Sequence, residues 1–247
     1  MPFLTAGDPD IETTSRMLPV LERAGASICE LGIAFSDPIA DGPVIQASMS
    51  HALDGGVRPD HVFEMVAAQR DQLDLGLVAM VSYSIVNRMG DREFVRDAKQ
   101  AGIDGFIIPD LPVEESSAFR EVASGEGLTC SFLIAPTTPI ERAEAVARAC
   151  TGFVYVLSRA GLTGERTELP KDLPDRLQRL RQVTDVPLAV GFGIGTGDQV
   201  RQVVEVADAA IVGSAIMRRV ADLRGDDQIV DHISRFVSDL ATGLPST

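Results

Sequence analysis

Two carboxylates lie close together in the sequence, where a short apolar run turns into a loop. Glu30 interrupts the apolar run 27–33, which has the composition of a buried strand, and Asp41 follows in the loop that leaves it. A buried carboxylate is costly unless it is paired or has a function. Two carboxylates that face one pocket from different environments can divide the roles of general acid and general base. The structural alternative is that Glu30 pairs with an arginine and Asp41 caps a helix.

The late part of the chain carries glycine-bearing loops of the kind that bind anions. They lie at 158–164 (SRAGLTG), at 191–195 (GFGIG) and at Gly213-Ser214, where a helix begins. Glycine lets a backbone approach a ligand closely, and the N–H groups at a helix start attract phosphate. The GFGIG loop alone is weak evidence. Together with Gly213-Ser214 it favours a phosphate site over simple packing turns.

The elements that position these residues alternate between strand and helix. The apolar runs are short and continuous, as expected of parallel strands that are buried on both faces. They predict strands at 2–6, 27–33, 76–82, 105–110, 129–134, 152–158, 187–192 and 209–212. Helices are predicted between and after them, at 11–24, 44–53, 61–70, 91–100, 112–124, 140–150, 173–183, 198–206 and from 215 to about 244.

Strict alternation of strand and helix allows an open doubly wound sheet or a closed barrel. Eight strand–helix units in 247 residues favour a single (β/α)8 TIM barrel, and no linker or composition shift divides residues 1–247 into smaller domains. Active sites in such barrels lie at the carboxyl ends of the strands. The carboxylates and the glycine loops are therefore expected to face one opening.

The composition narrows the classes of partner. A net charge of −14 and a pI near 4.6 argue against nucleic acid and anionic membrane surfaces, but backbone N–H groups can still hold a phosphorylated small molecule. Three cysteines and three histidines lack metal-type spacing, which predicts reduced thiols in a cytoplasmic protein and no metal site. Neither a membrane span nor a signal peptide is predicted.

The pocket between the two candidate sites would hold a phosphorylated small molecule with a neutral or weakly basic far end. Tyr155, on the sixth predicted strand, could point inward and supply a hydroxyl group. A tyrosine on a strand more often belongs to the core, so this residue by itself carries little weight.

Six motifs together carry a family resemblance. They are PFLTAGDP at 2–9, ELGIAFSDPIADGPVIQ at 30–46, PDLPVEES at 109–116, YVLSRAGLTG at 155–164, GFGIG at 191–195 and GSAI at 213–216. The sequence resembles the alpha subunit of tryptophan synthase along nearly its whole length, and the second motif is highly specific. The resemblance implies a (β/α)8 barrel that cleaves indole-3-glycerol phosphate into indole and glyceraldehyde 3-phosphate.

The resemblance also implies roles for individual residues. Glu30 matches the principal acid–base group of the family and Asp41 its second catalytic acid. The positions that match the phosphate site are Gly164, Gly193, Gly213 and Ser214. Those that match residues lining or closing the site are Phe3, Tyr155 and Thr163.

The chemistry of this retro-aldol cleavage agrees with the residues. Indole becomes a good leaving group once C3 is protonated, and a carboxyl group in an apolar setting can deliver that proton and accept one from the side-chain hydroxyl. A second carboxylate near the indole N–H stabilises the developing positive charge. Glu30 suits the first role and Asp41 the second.

The family's alpha subunit normally pairs with a beta subunit in an α2β2 heterotetramer. We expect no cofactor in this chain, because the pyridoxal phosphate of the pair belongs to the beta subunit. Segments 35–38 and 109–116 match the partner contact, and the loop around Thr163 is expected to fold over the site, with Thr163 bonded to Asp41.

Two features depart from the family pattern. The sequence begins at the first predicted strand, without the usual N-terminal helix. We therefore expect a truncated start or an open barrel bottom, with lowered stability. Residues 83–85 (Tyr-Ser-Ile) replace a YxNP-like stretch near the partner interface, so partner affinity is expected to differ.

Three other functions remain open at this point. The chain could be the same lyase working alone and releasing free indole, or a non-catalytic activator of a beta subunit. Another phosphate-sugar barrel enzyme, such as an isomerase, fits the fold but not the pair of Glu30 and Asp41.

Overall fold

The strands of the protein are all short and apolar. The structure, a computed structural model, describes residues 1–38, 41–158, 170–191 and 193–245. Within these ranges the strands are β1 (Phe3–Thr5), β2 (Ile28–Gly32), β3 (Gly76–Met80), β4 (Gly105–Ile107), β5 (Thr129–Ser131), β6 (Leu133–Ile134), β7 (Val154–Leu157), β8 (Leu188–Gly191) and β9 (Ala209–Ile211).

Helices lie between the strands along the chain. In the described ranges they are α1 (Ile11–Arg23), α2 (Pro43–Asp54), α3 (Pro59–Gln69), α4 (Tyr83–Met89), α5 (Asp91–Ala101), α6 (Ser117–Gly125), α7 (Ile140–Ala149), α8 (Leu173–Leu180), α9 (Gly197–Val204), α10 (Ser214–Asp222) and α11 (Ile229–Ala241). Two short 3₁₀ helices, Arg70–Gln72 and Val113–Glu115, complete the set.

The strands form a closed parallel barrel. Strands β1 to β5 pair in sequence order, and so do β6 to β9. Only Phe132 separates β5 from β6, and a parallel bridge from Pro2 to Val212 joins the first strand to the last. Counting β5 and β6 as two halves of one strand gives eight strands, so the (β/α)8 barrel that the sequence predicts is confirmed.

The predicted fifth strand is interrupted at Phe132 for a local reason. The backbone N–H of Phe132 donates to Cys150 Sγ at 3.3 Å instead of joining the ladder. The thiol of Cys150 also lies 3.3 Å from the carbonyl of Val146, at the end of α7. The interruption thus ties the strand to the helix that follows it.

Two helical segments differ from the sequence prediction. Helix α4 was not expected, and it begins where the Ser82 hydroxyl accepts a hydrogen bond from the N–H of Ser84. The predicted helix 112–124 is split, because the hydroxyl of Ser116 donates to the carbonyl of Val113 at 2.8 Å and closes a separate 3₁₀ turn. Both segments follow strands at the edge of the barrel opening.

Helices α2 and α10 form a packed pair beside the first strand. They contact each other, and both contact β1. Helix α2 starts directly after the loop that contains Asp41, and α10 starts directly after Gly213. The residues of both candidate sites are therefore attached to one pair of packed helices. Among the described residues, no helix has the length and apolar character needed to cross a membrane.

Candidate active site

A cavity of about 460 Å³ opens among the loops that follow the strands. Six of the residues expected at the site line it, namely Phe3, Asp41, Tyr155, Gly193, Gly213 and Ser214. The sequence thus predicted this part of the wall. Thr163 and Gly164, also expected at the site, lie outside the described residues.

Glu30 occupies the middle of β2, paired in register with Phe3 of β1 and Val78 of β3. Its side chain is completely buried, and neither carboxylate oxygen has a hydrogen-bond partner within the described part of the chain. It is not among the residues that line the cavity. Burial raises the pKa of this carboxyl group to about 8. Within the described ranges no arginine pairs with Glu30, so the structural alternative for this residue is wrong.

Asp41 lies at the cavity wall, half-buried, two residues before α2 begins. Burial raises the pKa of its carboxyl group to about 6. Its backbone is held on both sides: its N–H donates to the carbonyl of Pro38 at 3.0 Å, and its carbonyl accepts from Gln46 Nε2 at 2.8 Å. Gly42, not Asp41, occupies the N-cap of α2, so the alternative that Asp41 caps a helix is wrong.

The hydroxyl group of Tyr155 interacts electrostatically with both Glu30 and Asp41. It lies on β7, almost completely buried, and lines the cavity. Burial raises the pKa of its hydroxyl well above 10, and the charges of Glu30 and Asp41 add to the effect. The hydroxyl therefore stays protonated and can donate a hydrogen bond into a site that also holds two acids.

Glycines on the strands make room for the aromatic side chains of the cavity. A Cβ atom on Gly191 would lie 2.7 Å from Tyr155 Oη, and a Cβ atom on Gly32 would lie 2.6 Å from Phe3 Cζ. Both glycines are strand residues without positive φ angles, so their role here is space. Sequence reasoning named Gly191 only as part of a phosphate loop and gave Gly32 no role.

The anion-binding part of the site is built at the start of α10. Gly213 and Ser214 line the cavity together with Ala215, the second residue of that helix. The first N–H groups of a helix have no acceptor within it and carry partial positive charge. Gly193 lies on the same wall and has a φ of +81°, a backbone angle that residues with a side chain rarely adopt. This arrangement can hold a phosphate group without a basic side chain.

Apolar residues that sequence reasoning did not single out form much of the rest of the wall. Met80, Ile108 and Leu133 come from the ends of β3, β4 and β6, and Ile45 comes from α2. Their position on or next to predicted strands is the feature by which the sequence could have identified them as lining residues. They suit a flat aromatic ring. Asp110 is on the rim, where it accepts from the hydroxyl of Ser82 at 2.6 Å and from the N–H of Tyr83 at 2.8 Å.

The family model described as tryptophan synthase alpha chain matches residues 1–244. The chain belongs to the tryptophan synthase alpha chain family. The alpha chain of Thermosynechococcus vestitus is 44% identical over 245 residues, which cover 99% of this chain and 91% of that protein. The alpha chain of Rhodopirellula baltica is 45% identical over 225 residues, covering 90% of this chain and 81% of its own length.

Solved structures of this family have the same fold. The tryptophan synthase complex of Pyrococcus furiosus contains a chain 37% identical, with a TM-score of 0.89, covering 97% of this chain and 96% of that one. The alpha subunit of Legionella pneumophila is 33% identical, with a TM-score of 0.89, covering 98% of this chain and 90% of its own.

Proposed function

We propose that this chain cleaves indole-3-glycerol phosphate with Glu30 and Asp41 as its acid–base pair. The reaction class follows from the family: it is a carbon–carbon lyase of tryptophan biosynthesis that forms indole and glyceraldehyde 3-phosphate. The observation that carries the residue roles is the pair of raised pKa values, about 8 for Glu30 and about 6 for Asp41, next to a helix start that suits phosphate. Near neutral pH one group is mostly protonated and the other mostly ionised.

The substrate is oriented by its two ends. The phosphate lies against Gly193, Gly213 and Ser214, where backbone N–H groups replace its water shell. The indole ring lies among the apolar side chains of Met80 and Leu133. This places the ring in the part of the cavity that Asp41 and Tyr155 also line.

In the chemical step, Glu30 donates its proton to C3 of indole. The ring becomes an iminium-like cation, and Asp41 stabilises the positive charge at the N–H. Glu30, now a carboxylate, accepts the proton of the side-chain hydroxyl as that carbon becomes a carbonyl. The electron pair of the breaking bond returns to the ring, which leaves as neutral indole.

Glu30 is not among the residues that line the cavity, so we infer that its side chain changes conformation to reach the ring. No hydrogen bond between its oxygens and the described residues has to break when the side chain changes rotamer. We infer that a rotation about its side-chain torsions carries the carboxyl group past Tyr155 into the cavity. The raised pKa makes the transfer easier, since a neutral side chain moves through an apolar wall at lower cost than a charged one.

We also propose that the chain works with a tryptophan synthase beta subunit in a cytoplasmic α2β2 complex. A similar chain from Pyrococcus furiosus was solved in a tryptophan synthase α2β2 complex. The segments expected to contact the partner are 35–38 and 109–116, and the second contributes five residues to the cavity wall. Indole released at this face could pass directly to a partner docked there.

A lyase assay on indole-3-glycerol phosphate, with and without a beta subunit, tests the proposed function. We expect turnover by the chain alone and a higher rate with the partner. Equal rapid release of indole in both cases would favour the stand-alone lyase. No turnover under either condition, with activation of the beta subunit retained, would favour the non-catalytic activator.

A further inference from the structure

Asp8 is a completely buried carboxylate that takes no direct part in the proposed reaction. It follows β1 in the loop before α1, and its side chain has no solvent exposure. Arg224 holds both of its oxygens, with Nε at 2.9 Å from Oδ1 and a terminal nitrogen at 2.8 Å from Oδ2. The hydroxyl of Ser48 donates to Oδ2 at 2.6 Å, and His51 Nε2 lies 3.9 Å from Oδ1 and 3.2 Å from the carbonyl of Pro9.

The partners of Asp8 come from α2 and from the turn that follows α10. Ser48 belongs to α2, which begins two residues after Asp41. In the same helix, Gln46 donates its side-chain amide to the carbonyl of Asp41 at 2.8 Å. A shift of α2 is therefore transmitted to the backbone of Asp41.

The other arm leads to the phosphate end of the site. Arg224 lies two residues after the end of α10, whose first residue is Ser214. Because α10 packs on α2 and on β1, the bidentate bond from Arg224 to Asp8 fixes the helix relative to both. A shift of α10 moves its first N–H groups.

We propose that Asp8 is a positioning residue that sets the distance between Asp41 and the phosphate-binding start of α10. It touches neither the cavity nor the substrate and acts through Ser48 and Arg224. The inference rests on the proposed function, because it needs a substrate that reaches from one helix to the other.

The physical basis is the sensitivity of catalysis to distance. A misplacement of about 1 Å in a bound substrate can cost about 100-fold in rate. Packed helices can slide past each other by small distances. A bidentate pair of charged hydrogen bonds resists such sliding, because both donor–acceptor distances must be kept. A buried bidentate pair with a third donor therefore holds two helices at a defined separation.

The first test is Asp8→Asn, compared with Asp208→Asn as a matched control. Asp208 also accepts from an arginine, Arg181 at 3.1 Å, and from a backbone N–H, that of Leu188 at 2.8 Å, but it precedes β9 and so lies at the opposite end of the barrel. We expect Asp8→Asn to lower kcat/KM at least about 10-fold, and Asp208→Asn to leave it within about twofold. Urea unfolding of both variants checks that each is folded under assay conditions.

Two further variants separate the arms, and Ser48→Ala, which keeps the ion pair between Asp8 and Arg224, remains informative if Asp8→Asn does not fold. Arg224→Gln releases α10, so we expect KM and the dissociation constant for inorganic phosphate to rise at least about fivefold with a smaller change in kcat. Ser48→Ala releases α2, so we expect kcat to fall at least about threefold with little change in phosphate binding. Arg224→Lys keeps the positive charge but loses the two parallel hydrogen bonds of the guanidinium group. Its KM should therefore lie between those of Arg224→Gln and the unaltered protein.

Each outcome decides between alternatives. If the folded variants keep kcat and KM within about twofold of the unaltered protein, or if Ser48→Ala and Arg224→Gln change both parameters alike, Asp8 does not position the site. The unaltered protein reports on the proposed function separately. Without turnover there, the lyase assignment fails, whereas normal turnover with unaffected variants overturns only the role of Asp8.

Discussion

Burial, more than any neighbouring charge, determines the proton affinity of the two acids. The largest cause of the raised pKa is desolvation for both Glu30 and Asp41. Removing water penalises the ionised form of a carboxyl group, so the more deeply buried group holds its proton to the higher pH. One kind of side chain thus supplies a general acid and a carboxylate in the same site.

These pKa values lead to an expectation for the pH dependence of the reaction. Asp41 must be ionised, so kcat/KM should rise with pH through about 6. Glu30 must be protonated, so kcat/KM should fall as the pH rises through about 8. A pH–rate profile from 5 to 9 measures both limbs. Asp41→Asn should remove the acid limb, and a profile without the fall near pH 8 would contradict the role of Glu30.

Glu30→Gln should lower activity and raise stability at alkaline pH. Turnover should fall by about 100-fold or more, because the amide cannot donate the proton. The unfolded chain releases the proton of Glu30 near its ordinary pKa of 4.5, and the folded protein only near 8. Between these values the unfolded state binds fewer protons than the folded state, so the folded protein loses stability as the pH rises, by on the order of 1 kcal/mol per pH unit.

The measurement is the free energy of unfolding at pH 5 and at pH 9. Relative to the unaltered protein, Glu30→Gln should be more stable at pH 9 than at pH 5. The exposed Glu126→Gln is the control and should show the same difference at both pH values. A pH-independent effect of Glu30→Gln would mean that the pKa of Glu30 is not raised by folding.

At the scale of the elements, the strands both carry and make space for the site. Residues on or just after most of the strands line the cavity, while glycines on β2 and β8 accept the rings of Phe3 and Tyr155 from neighbouring strands. Local patterning located these strands to within a few residues. It missed the break at Phe132, which arises from a contact with a thiol 18 residues away.

Gly191→Ala should disturb the site without straining the backbone. The new methyl group would lie 2.7 Å from Tyr155 Oη, so the ring must move into the cavity that it lines. We expect kcat/KM to fall about 10-fold with a cooperative unfolding transition retained. Gly125→Ala is the control, since a Cβ atom there meets nothing within 4 Å, and it should keep normal kinetics. Unchanged kinetics in Gly191→Ala would show that the position of Tyr155 is not critical.

At the scale of the whole molecule, closure of the barrel joins residues from the two ends of the chain. The bridge between Pro2 and Val212 brings Phe3 beside Gly213, where an added Cβ atom would lie 3.5 Å from the Phe3 side chain. The ion pair between Asp8 and Arg224 spans 216 residues in the same way. Both halves of the site exist only in the closed barrel.

The opening of the barrel is also the surface on which we expect the beta subunit to dock. Asp37 is exposed in segment 35–38, and Asp37→Arg should weaken the complex about 10-fold or more by reversing a charge at the contact. Asp74→Arg, an equally exposed change just before β3 at the opposite end of the barrel, is the control. Titration by analytical ultracentrifugation measures both, and equal affinities would exclude this face as the docking surface.

Periodicity and composition are sufficient to predict the alternation of strand and helix, the burial of Glu30 and the glycines at strand ends, because these properties depend on a few neighbouring residues. The folded molecule was needed to show that Glu30 is not part of the cavity wall and has no hydrogen bond to its carboxylate oxygens within the described residues. It was also needed to show that the pKa of Glu30 rises to about 8 and that Asp8 links α2 to the end of α10. Desolvation and side-chain pairing sum over contacts between distant segments, and no local pattern contains those contacts.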